Sequence, residues 1–500
     1  RPQSACKRLT ARFARPAILR AQGLSRREFL RRSLAAAALS GIATSRSFAR
    51  APREDVSVLV LGAGIAGMYA CQRLQEAGLI AVCVDARGRS GGRLRSVTDL
   101  VPGQVIDAGG EFIGSVHPRW ATLARRLRLR LVDAGGDDAL DSPIVIDGQM
   151  LPPSQAEELH EQMAAALASL TDLARDIDPN QPWTHPRAAT LDATSMEDWL
   201  RSLDASPRCK AALAAQFTGD YGVDPHRQSL LAVLAMVRGG GLERFWTDSE
   251  LFRCEGGAAR LAERLHQTLG DMSFQLGTTV EAVIPDEGGF RLKTNRQFPL
   301  RCTHLVVALP PSAWGDVRFE FDLPQVRTPV QMSSSVKWIS AVKRAFWKDA
   351  GLAAEGLAAG RPLTPQFTWS PAANDRDGPA ALTALAGGTP AEELSRLDES
   401  ARDAALRRAV GAVLPGLDEN MIRSIYLDWP AEPHIRGGFG APAPCQTTTL
   451  LPALREPPGP VYFAGDWCSP AFMGYMEGAL ESAEHAASVL VRHVTAAERQ

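Results

Sequence analysis

Between Val56 and Asp85 the chain sets out a strand, a glycine turn, a helix, a second strand and a terminal acid within about thirty residues, an order few folds accept. Val56-Ser57-Val58-Leu59-Val60-Leu61 is an apolar, β-branched run, and Gly62-Ala63-Gly64-Ile65-Ala66-Gly67 follows it directly. A helical pattern then extends through Ala77 to Gly78, and Ile80 to Val84 reads as the second strand, closing on Asp85. Gly62 permits the tight turn, Gly64 lets backbone approach a pyrophosphate, and Gly67 lets helix and strand pack closely. The helix opening at Ile65 and Ala66 offers free amides and a positive dipole end to the phosphates. Asp85, with Ala86 and Arg87 after it, stands where the adenosine ribose hydroxyls would be bound. A glycine turn without function could share the glycine spacing, but the strand, helix and acid around it point to dinucleotide binding. The pattern alone does not separate FAD from NAD.

The next stretch leans towards FAD. Arg89-Ser90-Gly91-Gly92-Arg93 makes a loop that can wrap a pyrophosphate, with Arg93 neutralising its charge. Asp107-Ala108-Gly109-Gly110-Glu111-Phe112 adds a second glycine pair at a strand end, with Gly110 and Glu111 as candidate cofactor contacts. An NAD domain has no reason for this second phosphate-proximal loop. The plain alternative for Arg89 and Arg93 is solvated surface charge.

Charge is unevenly placed. The first forty-nine residues hold eleven Lys or Arg and one acid, leaving 44 basic and 55 acidic residues after them and a formal charge of −11. Phosphate binding needs a basic face, so a nucleic-acid partner is not expected. Ser25-Arg26-Arg27-Glu28-Phe29-Leu30, the apolar stretch Leu34 to Ala43 and Ser47-Phe48-Ala49 have the layout of a twin-arginine export signal. Cleavage would fall after Ala49 and place the protein in the periplasm or outside the cell; a disordered basic tail is the alternative. Later apolar runs such as Leu230 to Val237 are far below the roughly 20 residues that span a bilayer. The eight cysteines form no Cys-x-x-Cys pair, and the nine histidines lack ligand spacing, so no metal site is expected. There is no Gly-x-Ser-x-Gly elbow and no His-Glu-x-x-His.

Beyond the opening unit, residues 143–241 read as helical patterns punctuated by prolines. Short strand candidates follow at Thr278 to Ile284, Phe290 to Thr294 and His304 to Leu309, then at Val336 to Val342 and Ala381 to Ala386. The chain closes on strand, loop and helix from Val461 to Val494. The fold expected is α/β: a discontinuous, Rossmann-like FAD-binding domain (50–142, 250–316 and 455–500) interleaved with an α+β substrate domain (143–249, mostly helical, and 317–454), after a signal at 1–49.

Taken in order, "LGAGIAGMYA", "RSGGRLRS", "DAGGEFIGSVHPRW", "EGGAARLAERL", "VVALPPSAW", "SSVKWISAVKRAFW" and the closing "FAGDWCSPAFMGYMEGALESAEHAA" resemble the flavin-containing amine oxidases, the group of monoamine, polyamine and L-amino acid oxidases. The resemblance covers nearly all of the chain after Ala49. It implies that Lys337, on a substrate-domain strand, holds a water against the flavin N5. From its neighbours alone Lys337 has two readings, a functional lysine in an apolar strand or a lysine on the wet face of an edge strand. Trp429-Pro430-Ala431-Glu432-Pro433 and Arg436-Gly437-Gly438-Phe439-Gly440 resemble the segment that passes the flavin ring. Phe439 stands where monoamine oxidases carry a flavin-linking cysteine, which implies noncovalent FAD. Gly440 replaces one aromatic wall of those enzymes, and Tyr475 keeps the other. The resemblance also assigns Val280, Trp429, Gly465, Asp466, Gly474 and Met476 to the cofactor, with Asp466 at the ribityl or phosphate-proximal hydroxyls. A helix starting near Tyr475 would aim its amides at the flavin pyrimidine edge. Gly110-Glu111-Phe112 lacks the arginine with which one type of L-amino acid oxidase clamps the substrate carboxylate.

The activity implied is oxidation of a C–N bond in a small amine or amino acid, with oxygen or another electron acceptor as second partner and Lys337 and Tyr475 as the catalytic pair. A dehydrogenase on the same fold, passing electrons to a periplasmic acceptor or acting on a C–C bond, is the nearer alternative. A non-catalytic FAD-loaded binding protein is the more distant one.

Overall fold

The computed structural model describes residues 53–134, 140–360, 365–371 and 378–497. The expected export signal, residues 1–49, lies outside the described residues. Strand β1 (Arg53–Leu61), helix α1 (Ile65–Glu76) and strand β2 (Leu79–Asp85) realise the opening unit. Strands β3 (Phe274–Leu276), β4 (His304–Val307) and β5 (Val461–Phe463) complete a five-stranded sheet of order β5-β4-β1-β2-β3, parallel throughout. Helices cover such sheets on both faces, so the strands must be apolar on both sides. Val58, Leu59, Val60 and Leu61 are accordingly all buried.

Register brings the strand ends together. Leu61 is opposite both Val84 and Val307, and Val307 is opposite Phe463, so four carboxyl ends finish in one row. Ligands of open α/β sheets bind in the crevice outside such ends. The closing helix α2 (Met476–Ala497) lies against α1, with Ala66, Ala70, Ala479, Ala483 and Ala486 in their shared core. Small side chains let the two helices approach closely.

A second, seven-stranded sheet has the order 421–428, 335–342, 380–387, 367–369, 356–359, 144–146 and 149–150. Ser335–Val342 is an interior strand, antiparallel to both neighbours, with all eight residues buried. The Pro207–Tyr221 helix packs on this sheet so tightly that a Cβ at Gly219 would lie 2.0 Å from the Phe367 ring. A four-stranded sheet of order 300–302, 289–294, 280–286 and 318–319 stands beside the parallel one.

The α/β architecture agrees with the sequence reading, with one local difference. Residues 143–241 were expected to be helical, yet Ile144–Ile146 and Gln149–Met150 form a hairpin on the seven-stranded sheet. Its anchor is parallel pairing with Gly356–Ala359, far along the chain. Three residues are too few for a period-two pattern to show, and the partner strand is invisible to any local window. Among the described residues no helix is long and apolar enough to cross a membrane.

Candidate cofactor and substrate site

A cleft opens to solvent at the carboxyl ends of the parallel strands, with about 1100 Å³ of space between its walls when its mouth is included. It is lined by Gly62, Gly64, Ile65, Ala66, Asp85, Ala86, Arg87, Gly92, Arg93, Gly110, Val280, Gly465, Asp466, Tyr475 and Met476, all expected from the sequence. Gly67, Glu111, Trp429, Gly474 and Lys337 are not among its walls.

The glycine turn is held by backbone. Gly62 sits at φ +105°, and its N–H donates to the Val84 carbonyl at 2.7 Å. A Cβ at Gly67 would fall 1.9 Å from the Gly62 carbonyl oxygen, so this glycine shapes the turn from behind and not from within the cleft. The two glycine loops touch: a Cβ on Gly92 (φ +61°) would lie 3.1 Å from Gly64 Cα, and the Gly91 N–H donates to the Ala63 carbonyl at 2.8 Å. Asp85 closes the group, accepting from Ala63 N at 2.8 Å and from Arg87 N at 2.9 Å. Helix α1 begins at Ile65 with no side-chain cap, leaving its first amides to the cleft. A cradle of bare backbone with an acid at one end fits the pyrophosphate and ribose of FAD.

Arg93 is not a solvated surface charge, whereas Arg89 is exposed. Arg89 donates to the carbonyls of Gly92 (3.2 Å) and Leu94 (3.4 Å) and so curls its own loop. Arg93 pairs with the buried Asp466 and donates to the Gly438 carbonyl at 2.5 Å. Asp466 also accepts from Gly440 N at 2.9 Å, so one carboxylate ties three distant segments together at the cleft wall. Gly474, at φ +84°, directs its N–H to the Asp466 carbonyl at 3.4 Å and serves the turn into α2.

Behind Gly110 lies a buried charge network. Lys337 is 1 % exposed, which removes the edge-strand reading. Its ammonium donates to the Asp107 carbonyl (2.7 Å), the Gly109 carbonyl (3.3 Å) and Glu111 Oε2 (2.9 Å). Glu111, also 1 % exposed, accepts at Oε1 from Arg253 Nε and Trp369 Nε1, each at 2.9 Å. Glu111 was expected to contact the cofactor; instead it holds three donors from behind the glycine pair, because a carboxylate at this depth needs cations around it. The water-holding role implied for Lys337 competes with these three acceptors for the ammonium's three protons. Lys337 and Trp429 line a smaller adjoining space of about 330 Å³, which shares Arg93 and Gly110 with the main cleft. Phe439 lines it too. Arg253 and Trp369 escaped the sequence reading, since neither sits in a motif and their common partner is set by packing.

Tyr475 precedes α2 and is buried at the cleft wall. Its ring meets His117 and Phe245 edge-on, with centroids 4.9 and 6.4 Å away. At Gly440, where the resemblance would have a second tyrosine, a Cβ would lie 2.5 Å from Trp467 Cα and 2.8 Å from Met473 Sδ. Trp467 and Met473 therefore occupy the space a larger side chain would need.

Two buried acids make stability depend on pH. Glu477, in the first turn of α2, accepts from Arg119 N (3.0 Å) and Trp120 N (2.9 Å), and burial pushes its carboxyl up from 4.5 to about 7. Asp107 is raised from 3.8 to about 6 by burial and then by the neighbouring Glu111 carboxylate. A carboxyl whose folded value exceeds its unfolded one contributes most below the unfolded value and loses that contribution as pH rises through the folded one. The contribution of Glu477 therefore falls by up to about 3 kcal/mol between pH 4.5 and 7. Urea titrations across this window should show the decline, and Glu477→Gln should flatten it; an unchanged slope in the variant would contradict the assignment.

A family profile described as flavin-containing amine oxidoreductase matches residues 65–491. A putative flavin-containing monoamine oxidase of Mycobacterium tuberculosis is 28 % identical over 461 residues, covering 87 % of this chain and 97 % of that one. An L-amino acid dehydrogenase of Synechocystis is 23 % identical, covering 88 % and 96 %. Among solved structures, cyclohexylamine oxidase from Brevibacterium oxydans superposes with a TM-score of 0.78 at 26 % identity, covering 88 % of this chain and all of that one. The matched span takes in the arginine-bearing second loop and most of the closing helix, and the chain belongs to the flavin-containing amine oxidoreductases, FAD enzymes that act on amines.

Proposed function

We propose that the protein is an FAD-dependent oxidase of the C–N bond in a primary or secondary amine or an L-amino acid. The products are an imine, which water hydrolyses to a carbonyl compound plus ammonia or an amine, and hydrogen peroxide. The observation that carries this reading is one continuous cleft bearing Asp85 and the phosphate cradle together with the Tyr475 wall. When bound, FAD supplies the two-electron acceptor that takes a hydride equivalent from the amine's α-carbon and passes the electrons to oxygen. Around it, the glycine cradle and Asp85 bind and orient. The Arg93–Asp466 pair clamps the loops. Tyr475, backed by His117 and Phe245, presents a rigid face against which a substrate can lie. Lys337 fixes a positive charge in the adjoining wall.

Purified holoenzyme should lose its flavin colour anaerobically with an amine or amino acid, and in air should form one hydrogen peroxide per substrate consumed. Flavin bleaching without peroxide would select the dehydrogenase reading, which similarity to the Synechocystis L-amino acid dehydrogenase keeps in view. No bleaching by any amine or amino acid would sink the oxidase reading. FAD is held without a covalent bond in this proposal, supported by Phe439 after Gly437-Gly438; denaturation should therefore release all the flavin. Export through the twin-arginine route is proposed from Arg26-Arg27, and replacing both with lysine should retain the protein inside the cell.

A further inference from the structure

A second pocket lies at the opposite end of the strands that carry the cofactor cleft. Strand β4 begins at His304 and β5 at Val461, and both residues line this pocket. Ala308 and Gly465, past the other ends of the same strands, line the cleft instead. At about 3.3 Å per residue, the four steps from His304 to Ala308 put the two sites roughly 13 Å apart. The pocket opens to solvent, with about 1280 Å³ of space between its walls when its mouth is included. Part of the wall is aromatic: Phe290 and Phe321 stand with ring centroids 5.2 Å apart, and Phe319 meets Phe321 edge-on. Pro457, Pro458 and Pro460 supply another part. Flat rings pack well on both kinds of surface. The one carboxylate in these walls, Asp322, is paired with Arg327 at 2.7 Å.

Two acceptors interrupt this apolar surface. The Thr303 hydroxyl directs its single proton to the Ser57 carbonyl at 2.8 Å and accepts from Ser57 N at 3.1 Å. At 2.9 Å from His304 Nδ1 it can therefore only accept, which puts the imidazole proton on Nδ1. Nε2 is left as a bare lone pair with no partner among the described residues. Burial, then the neighbouring His493, pulls the His304 imidazolium below its ordinary range, so the ring stays neutral and keeps that lone pair. Gln325 supplies the second acceptor: its Oε1 is buried and receives no hydrogen bond within the protein. Buried polar atoms are nearly always satisfied, so this one marks a place where a donor from outside fits.

We propose that this pocket is a second binding site, separate from the cofactor cleft, for a neutral aromatic molecule bearing an N–H or O–H donor, of the indole or phenol class. The ring lies against the phenylalanine and proline walls, and its donor is received by His304 Nε2 and Gln325 Oε1. A cation finds the one carboxylate already paired, and an anion would bring its charge against two acceptors. The site does not depend on the oxidase reading, and either can fail without the other.

The test titrates FAD-loaded enzyme calorimetrically with indole and with 1-methylindole, which keeps the ring but has no N–H. Indole should bind about tenfold tighter, the effect of one hydrogen bond to a desolvated acceptor. Phenol should exceed methoxybenzene by a similar factor. His304→Phe keeps a flat ring and removes the acceptor, and should bring indole and 1-methylindole within about twofold of each other. Gln325→Leu, on the short Pro324–Arg327 helix, should weaken indole at least about threefold and decides the matter if His304→Phe does not fold. Flavin absorbance should not follow the indole titration, because the ring binds at the far ends of the strands. No binding of either indole, equal affinity of the two in the wild type, or an indole preference or affinity unchanged in the folded variants would each overturn the proposal. A flavin spectral change with the same midpoint as indole binding would overturn it too, by placing the ring in the cofactor cleft.

Discussion

Replacing Glu111 by alanine should cost about 3–5 kcal/mol of folding free energy, the range for removing one side of a buried ion pair. The magnitude follows from what is left behind. Lys337 and Arg253 would be left in a dry interior without their carboxylate partner, and the Trp369 indole N–H would lose its acceptor. A surface pair would not behave this way, since water replaces the lost partner. Glu111→Gln should be milder, because its carbonyl oxygen still accepts from Arg253 and Trp369, although its amide nitrogen then confronts the Lys337 ammonium. Combining Glu111→Gln with Lys337→Met removes both sides of that contact and should recover part of the loss. Urea unfolding followed by flavin release and circular dichroism measures all four proteins. A loss below about 1 kcal/mol for Glu111→Ala would mean that the network is looser than these distances imply.

A second large effect is expected at Gly67. Its Cβ would meet the Gly62 carbonyl oxygen at 1.9 Å, a backbone atom that no rotamer change can move aside. Gly67→Ala must therefore push α1 off the glycine turn, and the amides of Ile65 and Ala66 leave their positions at the cleft. FAD affinity of the apoprotein should fall by about a hundredfold or more, equivalent to about 3 kcal/mol. Gly88→Ala is the control, since nothing lies within 4 Å of a Cβ there. Near-equal FAD affinity in Gly67→Ala and wild type would show that the turn tolerates a displaced helix.

Both expectations rest on residues the sequence exposed to very different degrees. Gly67 was legible with its role because strand, turn and helix lie within one short window, where spacing alone dictates contact. The same locality made Gly62, Gly64 and Asp85 readable as one cradle, and the resemblance of ordered motifs carried Arg93, Asp466 and Tyr475 to the same cleft. Lys337 was legible as an anomaly, a lysine inside an apolar strand, but its surroundings were not. Glu111 was placed at the cofactor because it follows a glycine pair, and the structure turns it the other way. Its three partners come from separate segments that meet only when the seven-stranded sheet closes against the Gly109–Gly110 loop.

What the sequence by itself determined was therefore the dinucleotide cradle, the α/β class and the family, because these are written in short-range spacing and motif order. Which buried charges face one another and which glycine has been filled in by Trp467 and Met473 were decided only by tertiary structure. Desolvation makes a buried charge depend on whatever packs beside it, and that neighbour is chosen by the fold, not by distance along the chain.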